Sequence, residues 1–162
     1  MPDLPTPPDL STFPAALHVG DSDCPWVDSL VGFDLKVVQV RISEGLWVVR
    51  NRFRPGARIQ RHKHTGPVLA FTLSGSWKYE EYPEVNRAGS FLYEPAGSIH
   101  TLIVPEDNTE DTDVWFAVWG ANLNLDADGN VESVFDAQFV LDGYLGLCEA
   151  ARLPTPKVLI ER

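Results

Sequence analysis

Two stretches decide how this chain is read: Gly56-Ala57-Arg58-Ile59-Gln60-Arg61-His62-Lys63-His64 and, further on, Gly89-Ser90-Phe91-Leu92-Tyr93-Glu94-Pro95-Ala96-Gly97-Ser98-Ile99-His100. They hold three of the chain's four histidines. His62 and His64 are two apart, so on a strand both imidazoles leave one face while Lys63 leaves the other. His100 follows the turn Pro95-Ala96-Gly97 and opens the apolar run Thr101-Leu102-Ile103-Val104, a further strand that can bring a third imidazole to the same place. Taken alone, a histidine pair at this spacing is also what an exposed strand carries. The second motif makes one shared metal site the better reading. Three imidazoles suit iron, copper, nickel or zinc, and they leave part of the coordination sphere open.

Around these motifs the composition narrows the function. The 162 residues fit one domain with one core, expected over 15–162 behind a proline-rich, extended arm at 1–14. Lys and Arg number 13 against 23 Asp and Glu, a net charge of -10 that repels nucleic acid and anionic lipid and favours a small-molecule ligand. The N-terminus has no basic and apolar leader pattern, and no stretch is long and apolar enough for a membrane helix, so a cytoplasmic location is expected. Cys24 and Cys148 lie far apart in no ligand spacing and read as reduced thiols.

The rest of the chain is a succession of short strands. Phe33 to Val40 alternates, Ser43-Glu44-Gly45 makes a hairpin-like connection, and Leu46 to Phe53 is its partner. Val68 to Leu73, ended by Ser74-Gly75-Ser76 and followed by Trp77 to Tyr82, reads as a central hairpin. Val114 to Trp119 is apolar on both faces, as an inner strand is. Asn124, Asp126, Asp128 and Gly129 imitate half of a calcium loop, but Phe135 stands where the closing glutamate is needed, so Asp128-Gly129 reads as a hairpin turn. Apolar residues at threes and fours from Val140 to Ala151 predict one short C-terminal helix. The fold class is therefore all-β, an antiparallel sandwich or jelly roll.

Gly56, His62-x-His64 and Gly75, followed by Gly89, Pro95-x-Gly97 and His100, resemble the two motifs of the cupin superfamily. Tyr82-Pro83-Glu84-Val85-Asn86, Tyr93 to Leu102 and Asn122 to Asn130 are similar to the 2,4'-dihydroxyacetophenone dioxygenase group within it, over about residues 15 to 150. The resemblance implies a single cupin jelly-roll barrel. Where many cupins place a metal-binding glutamate after the histidine pair this chain has Val68, and the usual asparagine after the second motif is Val104. The same resemblance implies a three-histidine site of His62, His64 and His100, expected to hold iron(II), with zinc or nickel also acceptable to it.

The implied activity is a non-haem dioxygenase that cleaves a carbon–carbon bond of an aryl hydroxymethyl ketone to an aromatic carboxylate and formate. The alternatives are a β-diketone-cleaving dioxygenase and a non-catalytic zinc cupin of the sensing, anti-sigma type. The expected partners are a small aromatic ketone or diketone and dioxygen, in a homodimer or homotetramer. Glu94, six residues before His100, is a candidate for orienting a ligand, water or substrate hydroxyl, and Tyr79 is the second candidate catalytic residue. Trp77, Tyr79, Phe71, Trp115 and Trp119 are candidates for an apolar substrate wall. Arg58 reads as an exposed salt-bridge partner, Gln60 can line the mouth, and His18 reads as a surface residue.

Overall fold

The computed structural model describes residues 15–162, so the arm expected at 1–14 lies outside the described residues. In chain order the strands are β1 (Val27–Asp28), β2 (Phe33–Arg41), β3 (Leu46–Phe53), β4 (His62–His64), β5 (Val68–Ser74), β6 (Ser76–Tyr79), β7 (Asn86–Arg87), β8 (Phe91–Glu94), β9 (Ile99–His100), β10 (Leu102–Ile103), β11 (Thr112–Trp119), β12 (Asn122–Leu125) and β13 (Val131–Phe135). Helix α1 (Ala137–Ala150) and a last strand, β14 (Leu159–Glu161), complete the chain. The larger sheet runs β1-β2-β3-β11-β5-β8, with β14 parallel to β2. A second sheet, β13-β12-β4-β9, carries the histidines, and β10-β6-β7 form a third. The expected antiparallel β-sandwich is what the chain builds.

Alternation explains the larger sheet. On β5, Val68, Ala70 and Thr72 are buried and Leu69, Phe71 and Leu73 exposed. Val37, Val49, Val68 and Val114 are at most 1% exposed. Each buried valine of this kind contributes about 1.5–3 kcal/mol, and its branched β-carbon suits the pleat. The β2–β3 hairpin turns through a 3-10 segment, Ile42–Glu44, closed by Gly45 at φ 65°, whose N–H donates to the Ile42 carbonyl. Between β12 and β13 the Asp126 carboxylate accepts the N–H groups of Asp128 and Asn130, so this acidic loop is the expected hairpin turn.

Helix α1 starts earlier than its periodicity predicts, because Asp136 caps it by accepting the Phe139 N–H at 2.8 Å. It buries Val140, Leu141, Tyr144 and Cys148, and the Tyr144 hydroxyl donates to the Pro25 carbonyl at 2.7 Å, fastening the helix to the chain entering β1. Cys24 and Cys148 are both buried free thiols. Among the described residues no helix is long and apolar enough to cross a membrane.

The expected hairpin of Val68–Leu73 with Trp77–Tyr82 does not form. β5 pairs with β11 and β8, whereas β6 pairs with β10 and β7 in another sheet. Gly75 is a corner between sheets: its φ is +70°, and an added Cβ would lie 2.4 Å from Thr112 Oγ1 and 2.7 Å from Thr112 Cα. Left-handed backbone and steric overlap act together at this position. Gly75→Ala should therefore lower unfolding free energy by roughly 2–4 kcal/mol in a denaturant titration, and an unchanged midpoint would contradict the corner.

Candidate metal centre and adjoining cavity

The three-residue strand β4 sends His62 and His64 inward, at 7% and 3% exposure, and Lys63 outward. His100, 1% exposed, arrives from β9 with its Cα directly opposite His62. The Pro95–Ser98 turn does more than precede His100: the Gly97 N–H donates to the His64 carbonyl at 2.8 Å, and the His64 N–H donates to the Ser98 carbonyl at 3.0 Å. The second motif thus clamps the first. The imidazole centroids stand 4.8, 4.9 and 5.0 Å apart, and one nitrogen from each ring lies within 4.8 Å of the others.

The donor chemistry fits a divalent cation. His62 Nδ1 lies 2.8 Å from the Gln60 carbonyl, which can only accept, so Nδ1 carries the proton and Nε2 keeps its lone pair. Burial, followed by the charge of His64, lowers the His62 pKa to about 4 and keeps this ring neutral. His100 Nε2 and Glu94 Oε2 face each other at 3.0 Å, and His64 Nδ1 is buried with no hydrogen-bond partner. Such an atom is uncommon unless something outside the chain satisfies it.

Glu94 adds a carboxylate beside the three histidines, which form the metal-competent group without it. Its Oε2 is 3.0 Å from both His64 Nε2 and His100 Nε2. Val68, where the glutamate of other cupins is expected, is the cross-strand partner of Glu94. Burial pushes the Glu94 carboxyl up, but His100 and His64 outweigh it and hold it at about 2. Its other oxygen accepts from the Tyr79 hydroxyl. Tyr79 stacks on His100 at 3.6 Å between centroids and 14° between planes, and burial with the Glu94 charge raises its pKa far above the ordinary phenol range. At neutral pH Tyr79 donates and Glu94 accepts.

His62, His64 and Tyr79 open onto a cavity of about 600 Å³. Of the wall candidates, Tyr79 alone is among its lining residues. Trp77 is fully buried and donates to Thr72 Oγ1 at 2.9 Å, Phe71 is 48% exposed on the outer face of β5, and Trp115 and Trp119 share the outer parity of β11. The wall comes instead from Phe33, Trp47, Phe53, Phe116 and Tyr144, with Phe135 and Phe139 stacked at 4.6 Å. The parity of β3 contained the signal for Trp47 and Phe53. Arg58 forms an exposed pair with Glu80 at 2.7 Å, as expected. Gln60 lines the cavity with its amide already donating to the Leu125 carbonyl and Glu132, and His18 is exposed and outside the histidine cluster.

No curated protein matches the chain. A crystal structure of a protein of unknown function with a cupin-like fold from Ralstonia eutropha JMP134 is 32% identical, with a TM-score of 0.85, covering 93% of this chain and 96% of that one. An RmlC-like cupin from the same organism is 27% identical, with a TM-score of 0.83 over 90% of this chain and 94% of that one. An acetylacetone dioxygenase from Acinetobacter johnsonii shares 14% identity and a TM-score of 0.71 over 90% of this chain and 99% of that one, a likeness of fold. The family described as ChrR cupin-like domain matches residues 14–120. With two-strand histidine clustering, a jelly-roll frame and that match over most of its length, the chain belongs to the ChrR cupin-like domain family of the cupin superfamily.

Proposed function

We propose that the protein is an iron(II) dioxygenase that cleaves an aryl hydroxymethyl ketone. The observation carrying this reading is that His62 and His64, two members of the histidine cluster, form part of the wall of a mainly apolar cavity of a size that suits a one-ring substrate. The overall reaction balances without an external reductant. ArCOCH₂OH and O₂ give ArCOOH and HCOOH, with the bond between the carbonyl and hydroxymethyl carbons broken and both oxygen atoms retained in the two acids.

His62, His64 and His100 would hold the metal. When bound, iron(II) supplies a place for the two neighbouring substrate oxygens to chelate and the redox chemistry that engages dioxygen. The chain does the positioning. Glu94 accepts from Tyr79 and stands 3.0 Å from the His64 and His100 rings, so its role is to balance charge and fix those two rings. Tyr79 fixes Glu94 from behind with its hydroxyl and His100 with its ring. Aromatic walls exclude water and hold the aryl group by burial.

Oxygen uptake by anaerobically purified, iron-loaded protein against a panel of hydroxyacetophenones and β-diketones tests the reading. Uptake with an aryl hydroxymethyl ketone is expected. Metal retention without uptake on any substrate would favour a metal-holding cupin, and uptake confined to diketones would favour the diketone-cleaving alternative. His100→Ala should lose both metal and turnover while His18→Ala retains both. Glu94→Gln should weaken metal binding about 10- to 100-fold in a chelator competition.

A second expectation concerns the metal-free protein. Because the folded-state pKa of His62 is depressed from 6.5 to about 4, the unfolded chain takes up a proton that the folded chain refuses. Stability should therefore fall as pH drops from about 6.5 to about 4, by on the order of 3 kcal/mol. His62→Gln should flatten that slope in a thermal-melt series, and zinc, which holds the rings in their neutral form in the folded state alone, should steepen it. An equal slope in the variant would contradict the assignment.

A further inference from the structure

We propose that the outer face formed by β11, β5 and β8 is where two copies of the chain pack together, sheet against sheet, about a two-fold axis.

A single row of side chains crosses the outside of the larger sheet. Lys36 on β2 stands opposite Arg50 on β3, Arg50 opposite Trp115 on β11, Trp115 opposite Phe71 on β5, and Phe71 opposite Phe91 on β8. The two ends of the row differ. The chain itself covers the cationic end: Asp21 pairs with Lys36 at 3.0 Å and with Arg50 at 2.9 Å, and Trp26 lies with its ring centroid 4.1 Å from the Arg52 guanidinium. Among the described residues nothing comparable covers the aromatic end, where Phe91 is 63% exposed. The next outward row repeats the pattern, with Ala117 opposite Leu69 and Leu69 opposite Tyr93, which is 58% exposed. From Trp115 to β8 these two rows hold no charged side chain.

The size of the patch fits an interface. Phe71, Phe91 and Tyr93, with Leu69 and Leu73 beside them, leave on the order of 500 Å² of apolar surface bare. A monomer's largest apolar patch is roughly 300–600 Å², so this one is at the upper end. A standard interface covers about 800 Å² on each partner, of which roughly 56–65% is apolar, so the patch supplies the whole apolar share of one.

The chemistry selects a second copy as the occupant. Contacts between proteins that also live apart keep their polar and charged groups, whereas homodimer interfaces are more apolar and rich in aromatic rings. The net charge of -10 opposes self-association over the surface at large, and this face lets two copies meet without bringing like charges together. Stacked about 10 Å apart, two such faces set each aromatic ring among the aromatic and leucine side chains of the other copy, a self-complementary contact. Leu69, Phe71, Phe91 and Tyr93 lie outside the barrel and none lines the cavity, so the inference stands apart from the reaction proposed above.

Sedimentation velocity of the full chain tests this. Wild type should run at about twice the 18.0 kDa of one chain. Phe91→Glu, which sets a carboxylate in the apolar contact, should halve the wild-type mass at micromolar concentration, a weakening of at least about 30-fold, with an unchanged far-UV circular dichroism spectrum. Tyr93→Ser gives the same readout if the glutamate variant fails to fold. Val131→Glu, comparably exposed but on β13 of another sheet, should keep the wild-type mass. A wild type that runs as one chain, face variants that keep the wild-type mass, or a Val131→Glu variant that loses it would each overturn the proposal. A dimer that survives Phe91→Glu and is lost on removal of residues 1–14 would overturn it in favour of the arm.

Discussion

The site depends on the clamping of β4. Three residues are too few to hold a strand in place by themselves, and His62–His64 is held only because each edge is paired: β12 on one side, β9 and the Pro95–Ser98 turn on the other. Those backbone bonds convert a two-residue spacing into two rings on one face, and the register opposite His100 delivers the third. Without the clamp, desolvation would drive the polar rings outward, since burying each one forfeits its bonds to water. The depressed pKa of His62 records that desolvation. The metal-sized arrangement is thus an outcome of sheet pairing, with the side chains following the backbone.

A second constraint is charge. The chain is strongly acidic, yet the carboxylate nearest the histidines is a single one, buried at 3% exposure and tied on both oxygens' sides. Val68 and Glu94 are partners across β5 and β8, and it is from β8 that the carboxylate approaches the His64 and His100 rings. Elsewhere the buried Asp113 carboxylate is matched by Arg50 through two 2.7 Å bonds, which keeps an uncompensated charge out of the central strand.

What could be read from the sequence was local. Alternation is a short-range property, so β2, β3, β5 and the β12–β13 turn were legible, and the Asp136 cap moved the helix start by only a few residues. Pairing is not local. Nothing between Ser74 and Ser76 distinguishes a hairpin turn from a corner, because glycine permits both and Thr112, which occupies the space beside Gly75, is remote in sequence. The wall aromatics failed for a related reason: β11 is apolar on both faces, so its parity could not say whether Phe116 or Trp115 and Trp119 turned inward. Covering of Trp115 by the Arg50 guanidinium, 5.9 Å from the ring centroid, lets an aromatic residue face outward without contradiction. The histidines were legible because two motifs had to agree, while Glu94 could be placed near the site but not aimed.

Sequences that specify a fold agree with it at each level, and departures concentrate where something other than stability is being served. Here the departures share an address. Asn51 interrupts an apolar row of β3, Asn122 leaves an amide oxygen unpaired on β12, and α1 carries Gly143 and Gly146 in its interior, where glycine costs about 1 kcal/mol each relative to alanine. A Cβ on either glycine would meet nothing within 4 Å, so packing does not require them. All four residues line the one cavity that His62 and His64 also line. Three elements from separate parts of the chain give up stability on the same inward surface, and an interior under selection only for packing would have filled it.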